Sequence, residues 1–150
     1  MKIYIGADHG GFHLKEDVEA YLRKNGYEIE DMGNDVHDPD DDYPQFAARV
    51  ATAVLASDDD DARGIIVCTG AQGVAIAANR YKGIRASVVW DAFEARMTRN
   101  DNDSNVLCLP GRLMTDNPDL WQGVIETWLS TPFSRASRHR RRVQELDNLN

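Results

Sequence analysis

The segment Gly64-Ile65-Ile66-Val67-Cys68-Thr69-Gly70-Ala71-Gln72-Gly73 runs apolar without alternation up to a cysteine, then changes to glycines and small residues. A continuous apolar run of this length reads as a strand covered on both faces, the kind found in parallel sheets with helices above and below. The glycine loop then leads into a short helix ending near Asn79. Outward from this unit the alternation repeats in both directions. Toward the N-terminus, a strand is predicted over 2–7 and a helix over 12–24. That helix places Leu14, Val18, Tyr21 and Leu22 on one face and ends at Asn25-Gly26. A short strand over 27–32, a polar loop over 33–42 and a helix over 43–56 complete this half. Toward the C-terminus, strands are predicted over 84–89 and 106–109, with a helix over 91–99 between them. Pro118 then opens a helix running to about residue 129. After Thr131-Pro132 a last helix carries a series of arginines. Five strands alternating with helices predict one α/β domain over 1–150, a doubly wound parallel sheet with a C-terminal helical arm over about 133–150.

Composition narrows the functional classes. An apolar fraction of 42% is that of a water-soluble globular protein, and no apolar run approaches the length of a membrane span. The first residues read as a strand and lack the apolar core of a signal peptide, so the expected location is cytoplasmic. Two cysteines forty positions apart, Cys68 and Cys108, are neither a disulfide framework nor a zinc motif. A formal net charge of −8 argues against general affinity for nucleic acid or anionic membranes. Much of the acid lies in two blocks, Asp38 with Asp40 to Asp42, and Asp58 to Asp61. These read as solvated loops rather than metal sites, since adjacent aspartates rarely converge on one ion. The sign reverses at Arg135, Arg138, His139, Arg140, Arg141 and Arg142, which suggests a small anionic ligand.

Ligands of open parallel sheets bind at the carboxyl ends of strands, where loops meet helix N-termini. Two glycine loops occupy such positions: Gly6-Ala7-Asp8-His9-Gly10-Gly11, and Cys68-Thr69-Gly70-Ala71-Gln72-Gly73. Neither carries the dinucleotide or nucleoside-triphosphate fingerprint, so a small anion fits better than a nucleotide. Asp8 reads equally as a helix cap and as a site residue beside His9. Cys68 closes a buried strand, yet its place before a glycine loop and a helix N-terminus favours the thiolate. Cys108 lacks such a loop and reads as core. On the last helix, Arg135, Arg138 and Arg142 fall at i, i+3 and i+7, a stripe suited to clamping a phosphate. A solvated arm and a nucleic-acid patch are the competing readings of the same arginines.

Together these motifs resemble ribose-5-phosphate isomerase B and its relatives, the galactose-6-phosphate isomerase subunits. The matching residues are Gly6 to Gly11 with Leu14-Lys15, Asp42-Tyr43-Pro44, Gly73 to Asn79, Gly83 to Ala86, Asn102 to Asn105, Gly111-Arg112 and Arg138 to Arg142. The resemblance implies a Rossmann-like fold, a sugar-phosphate aldose–ketose isomerase, and no metal or organic cofactor. It also implies a homodimer or homotetramer with the active site between subunits. By resemblance Asp8, His9, Tyr43 and Asn102 meet the sugar phosphate, and backbone N–H groups of Thr69, Gly70, Ala71, Gln72 and Gly73 form an anion hole. Arg112, Arg138 and Arg142 hold the phosphate. Cys68 matches the base of one branch of the family; the other branch uses a glutamate where this chain has Val74.

Two departures from the family pattern stand out. Relatives with the cysteine usually continue Gly-Thr-Gly, whereas this chain has Thr69-Gly70-Ala71, so the hydroxyl falls one place early. The histidine that opens the sugar ring is replaced by Asp101, a poor proton donor unless its pKa is raised. The expected reaction is ribose 5-phosphate to ribulose 5-phosphate through a cis-enediolate. Tetrose 4-phosphate, galactose 6-phosphate and allose 6-phosphate are alternative substrates. A tetrose 4-phosphate has no furanose ring to open, so Asp101 suits it. A non-catalytic sugar-phosphate-binding subunit is the alternative of another class.

Overall fold

The structure, a computed structural model, describes residues 1–149. Five strands form one all-parallel sheet: β1 (Lys2–Ala7), β2 (Glu28–Asp31), β3 (Arg63–Cys68), β4 (Ala86–Val88) and β5 (Val106–Pro110). Their spatial order is β2-β1-β3-β5-β4. In register, Ile5 lies opposite Ile65, and Cys68 lies opposite Pro110. The helices are α1 (Phe12–Lys24), α2 (Tyr43–Ala56), α3 (Gln72–Ala78), α4 (Ala92–Asn102), α5 (Gly111–Met114), α6 (Pro118–Ser130) and α7 (Ser137–Asp147).

The pleat of the central strands divides the core into two layers. Ile3, Ile5, Ile65, Val67, Leu107 and Leu109 face α1 and α6, where they meet Leu14, Val18, Leu22, Ile125 and Trp128. Tyr4, Ile66, Val106 and Cys108 face α2 and α3, against Val50, Val54, Val74 and Ala78. Because both faces are covered, strands 1, 3 and 5 carry apolar residues at nearly every position, the signal read in residues 64–68. Cys108 is fully buried in the second layer, as expected of a core residue. Among the described residues no helix is long and apolar enough to cross a membrane.

Three boundaries differ from expectation. β4 is an edge strand of three residues rather than the six read in 84–89. Ile84 N–H instead closes a turn on Tyr81 O, and the Asn79 side chain bonds both Ala86 N–H and Ala86 O. α4 runs on through Asn100, Asp101 and Asn102, poor helix formers that read as an end. It stops only where Asp103 adopts a left-handed backbone (φ 49°). Arg135 also has a left-handed backbone (φ 55°) and precedes α7, so the predicted stripe is not one helix face. Of its three members, only Arg138 and Arg142 share the helix.

Candidate active site

The chain runs from β1 outward to β2, then crosses back to β3, so the strand order reverses between β1 and β3. At such a switch point the loops leaving neighbouring strands diverge and open a crevice. Here those loops begin with Asp8 and Cys68, and a third, after β5, begins with Gly111 and Arg112. Glycines let the three approach closely. A Cβ on Gly11 would sit 2.2 Å from Val67 O, and one on Gly10 would sit 2.0 Å from Thr69 Oγ1. Gly111 packs where a Cβ would be 3.3 Å from both Cys68 O and Gly10 O.

Asp8 bonds its own turn with one oxygen and Cys68 with the other. Its Oδ1 accepts from Gly11 N–H at 3.2 Å, capping a 3-10 turn over His9–Gly11, while its Oδ2 accepts from Cys68 Sγ at 3.2 Å. Cys68 lies in a cleft of about 460 Å³, where Tyr43, Gly70, Ala71, Gln72, Gly73 and Arg112 are also found. Tyr43 is the first residue of α2, and its ring lies against Gly73, where a Cβ would be 2.7 Å from Cζ. Arg112 N–H donates to Thr69 O at 3.0 Å, and its guanidinium stands over Gly70. Thr69 does not line the cleft; its hydroxyl faces Gly10 of the neighbouring loop. Sequence reading missed the apolar wall, Trp90 and Leu113, both half exposed. Trp90 just beyond a strand end was the available signal.

The cleft sets two influences against each other at Cys68. Ala71 adopts the left-handed region (φ 60°), and the N–H groups of Gly70 and Ala71 point at the sulfur, which favours thiolate. Burial and the charge and hydrogen bond of Asp8 outweigh them, so the thiol is pushed above its ordinary value. The loop N–H groups favour the thiolate, as expected of that setting, but by themselves they do not outweigh burial and Asp8. The causes of the raised value are burial first and then the neighbouring carboxylate, whose proximity no sequence separation of sixty residues reveals.

His9 is paired just beyond the cleft. Its ring Nδ1 lies 2.7 Å from Asp41 Oδ1, and its backbone N–H donates to the same oxygen at 3.0 Å. The hydrogen bond to Asp41 raises the imidazole pKa, partial burial opposes this, and Asp8, Asp41 and Asp38 add to it by their charges. Burial pushes Asp41 up, but bonds from His9 N–H, the His9 ring and Asn34 outweigh it and hold the carboxyl below its usual value. Ligand-type atoms of Asp8, His9 and Asp41 lie within 4.8 Å of one another.

Asp101 and Asn102 lie at the end of α4 and line a separate hollow that meets the Cys68 cleft at Val88. Asp101 Oδ1 accepts from Asn100 Nδ2 at 2.7 Å and lies 3.6 Å from Nδ1 of the buried His139. Arg138 and Arg142 are exposed on α7 and are not part of the Cys68 cleft. The residues named by resemblance thus fall into two groups within one chain: the Asp8–His9–Cys68–Arg112 group, and the Asp101–Asn102–Arg138–Arg142 group.

A family model described as Ribose/Galactose Isomerase matches residues 3–146. The chain belongs to the ribose/galactose isomerase family. Within this family, ribose-5-phosphate isomerase B of Mycolicibacterium paratuberculosis is 36% identical over 146 residues, covering 97% of this chain and 89% of that protein. The crystal structure of a ribose 5-phosphate isomerase from Thermotoga maritima superposes with a TM-score of 0.91 at 41% identity, covering 99% of this chain and 98% of that one. A further family structure, ribose-5-phosphate isomerase B from Mycoplasma genitalium with bound ribulose-5-phosphate, gives a TM-score of 0.89 at 33% identity, covering 97% and 93%. The present chain is accordingly a sugar-phosphate isomerase with the fold of this family.

Proposed function

We propose that this isomerase interconverts ribose 5-phosphate and ribulose 5-phosphate, with Cys68 as the base. The observation that carries the reading is the placement of Cys68 Sγ in the cleft, between the Asp8 carboxylate and the N–H groups of Gly70 and Ala71. An aldose–ketose shift needs one base that removes a proton from C2 and returns it to C1, and donors for the oxygen that gains charge between the two steps. Asp8 is the nearest acceptor for the thiol proton. The thiolate takes the C2 proton, the C2–H electron pair becomes the C1=C2 bond, and O1 gains the charge of the enediolate. The loop N–H groups from Thr69 to Gly73 stabilise that charge. Return of the proton from sulfur to C1, with the O2 proton passing to O1, leaves the ketose. Arg112, Arg138 and Arg142 hold the phosphate.

Two copies of the chain complete the site, the second supplying the Asn102 and Arg138 group, in a homodimer or homotetramer of the cytoplasm. The reaction moves hydrogen within one substrate and needs no cofactor. Asp101, in place of the ring-opening histidine, is the observation behind a second reading, a tetrose 4-phosphate as the preferred substrate.

The test is turnover of ribose 5-phosphate and erythrose 4-phosphate by purified wild type and Cys68→Ala. Loss of a general base lowers turnover by about 10²–10⁴-fold, with ribose 5-phosphate still bound. A variant that keeps its turnover removes Cys68 from the reaction. Turnover of erythrose 4-phosphate alone selects the second reading.

A further inference from the structure

The acidic block before α2 has the composition of a solvated loop, but one of its members is not solvated. The side chain of Asp41 is 3% exposed, while the His9 ring it holds is 41% exposed. Its two oxygens are used separately. Oδ1 takes both the backbone N–H and the ring Nδ1 of His9, at 3.0 and 2.7 Å. Oδ2 takes Asn34 Nδ2 at 3.4 Å. Asn34 is itself anchored, with its N–H on Ala7 O at 3.0 Å and its carbonyl accepting from the buried Lys15 Nζ at 3.0 Å. Lys15 also pairs with Asp31 at the end of β2. A chain of contacts therefore runs from the α1–β2 interior through Asn34 and Asp41 to one imidazole at the rim of the site.

An ionised carboxylate only accepts hydrogen bonds, so the ring nitrogen facing it must carry the hydrogen. We infer that Asp41 is a positioning residue: it fixes the His9 imidazole with Nδ1 as donor and leaves Nε2 as the nitrogen offered to the substrate. The inference rests on the proposed reading in which His9 contacts the sugar phosphate. It extends that reading by naming the group that sets the orientation and charge of His9. The ionisable groups facing His9 are Asp8 from its own turn, and Asp38 and Asp41 from the loop between β2 and α2. All three are acidic and favour the cationic ring, and Asp41 alone bonds it.

Asp41→Asn separates charge from shape, because an amide oxygen can still accept from both His9 donors. Two measurements on wild type, D41N, H9N and the double variant decide the matter: an NMR titration of the His9 ring, and KM and kcat against pH. In D41N the His9 pKa falls, and the pH above which KM rises moves down with it. At pH 7.5 KM increases about threefold to tenfold while kcat changes less than about twofold, the loss expected for one weakened charged contact. D41N adds nothing in the H9N background. An unchanged His9 titration in D41N overturns the inference, as does a loss confined to kcat with an unshifted profile, the mark of a merely structural residue. If H9N leaves KM unchanged, the failure belongs to His9 as a substrate contact, and the titration still decides whether Asp41 controls the ring.

Discussion

Cys68 and Asp8 form a pair in which the neighbour that restrains the proposed base also accepts its hydrogen bond. Burial and the carboxylate favour the protonated sulfur, against the pull of two backbone N–H groups. Alkylation by iodoacetamide reports this directly, since only the thiolate reacts. Wild-type Cys68 is expected to react slowly at neutral pH, with the rate climbing only above the ordinary thiol range. Asp8→Asn removes the repelling charge and lowers the thiol pKa. At pH 7.5 it speeds alkylation about threefold to tenfold, even as isomerase turnover falls. An Asp8→Asn protein alkylated no faster than wild type removes Asp8 as the cause of the raised value. The His9–Asp41 pair gives a stability prediction with a definite sign. His9 is raised, so its contribution is complete below about pH 6.5 and is lost as pH climbs through the folded value. Asp41 is lowered, so its contribution is present above about pH 3.8 and is lost as pH falls through the folded value. The stability difference between wild type and Asp41→Asn, read by urea titration, is therefore largest from about pH 4 to 6.5 and shrinks on either side. A difference that stays flat beyond both ends of that range contradicts the pairing.

At the scale of elements, the strand–loop–helix units were the most legible part of the chain. The bounds of α1 and α2 agree with the helices read from Leu14, Val18 and Leu22, and from the segment after Asp42. Periodicity reports burial, and both helices bury one face against the sheet. The four-residue α5 was invisible because one turn has no period, although Arg112 within it was found by resemblance. The stripe of three arginines failed at Arg135 because spacing assumes a continuing helix. The contact between Thr69 and the first loop was also beyond reach, since it depends on how closely two strand ends approach. That approach makes a graded prediction for the two glycines of the first loop. An added Cβ at Gly11 meets the Val67 carbonyl, part of a central strand, and nothing flexible can yield. Gly11→Ala is expected to cost about 3 kcal/mol in urea unfolding. At Gly10 the obstacle is mainly the Thr69 hydroxyl, which can rotate, so Gly10→Ala costs about 1 kcal/mol. Its main effect is on turnover, because Thr69 adjoins Cys68. Equal losses of stability at the two positions would show that the loops separate more readily than this packing implies.

For the whole molecule, the division of the site residues into two groups is the feature with the largest consequence. A protein of net charge −8 has few places to hold a phosphate, and three candidate arginines lie on two different elements. Arg112 is in the Cys68 cleft, whereas Arg138 and Arg142 are exposed on α7, which packs beside α4. Which groups share one chain's cleft lies beyond sequence spacing, because a residue from a second copy leaves the same motif as one from the first. Apolar Trp90, Phe93, Ile76 and Leu113 are exposed, Trp90 and Leu113 on the cleft itself, a surface suited to a second copy. Complementation between two damaged copies tests this directly. Cys68→Ala damages one group, and the double variant Asn102→Ala/Arg138→Ala damages the other, so each protein alone is expected to be inactive. If every site takes one group from each of two chains, a mixed dimer holds one site with all the damage and one with none. Random pairing makes half the dimers mixed, so co-refolded equal amounts should recover about a quarter of wild-type turnover. If each chain builds its own site, every site in the mixture is damaged and no turnover returns. Recovery near a quarter, absent when the proteins are combined without unfolding, would assign the group of Asn102 and Arg138 to the neighbouring copy.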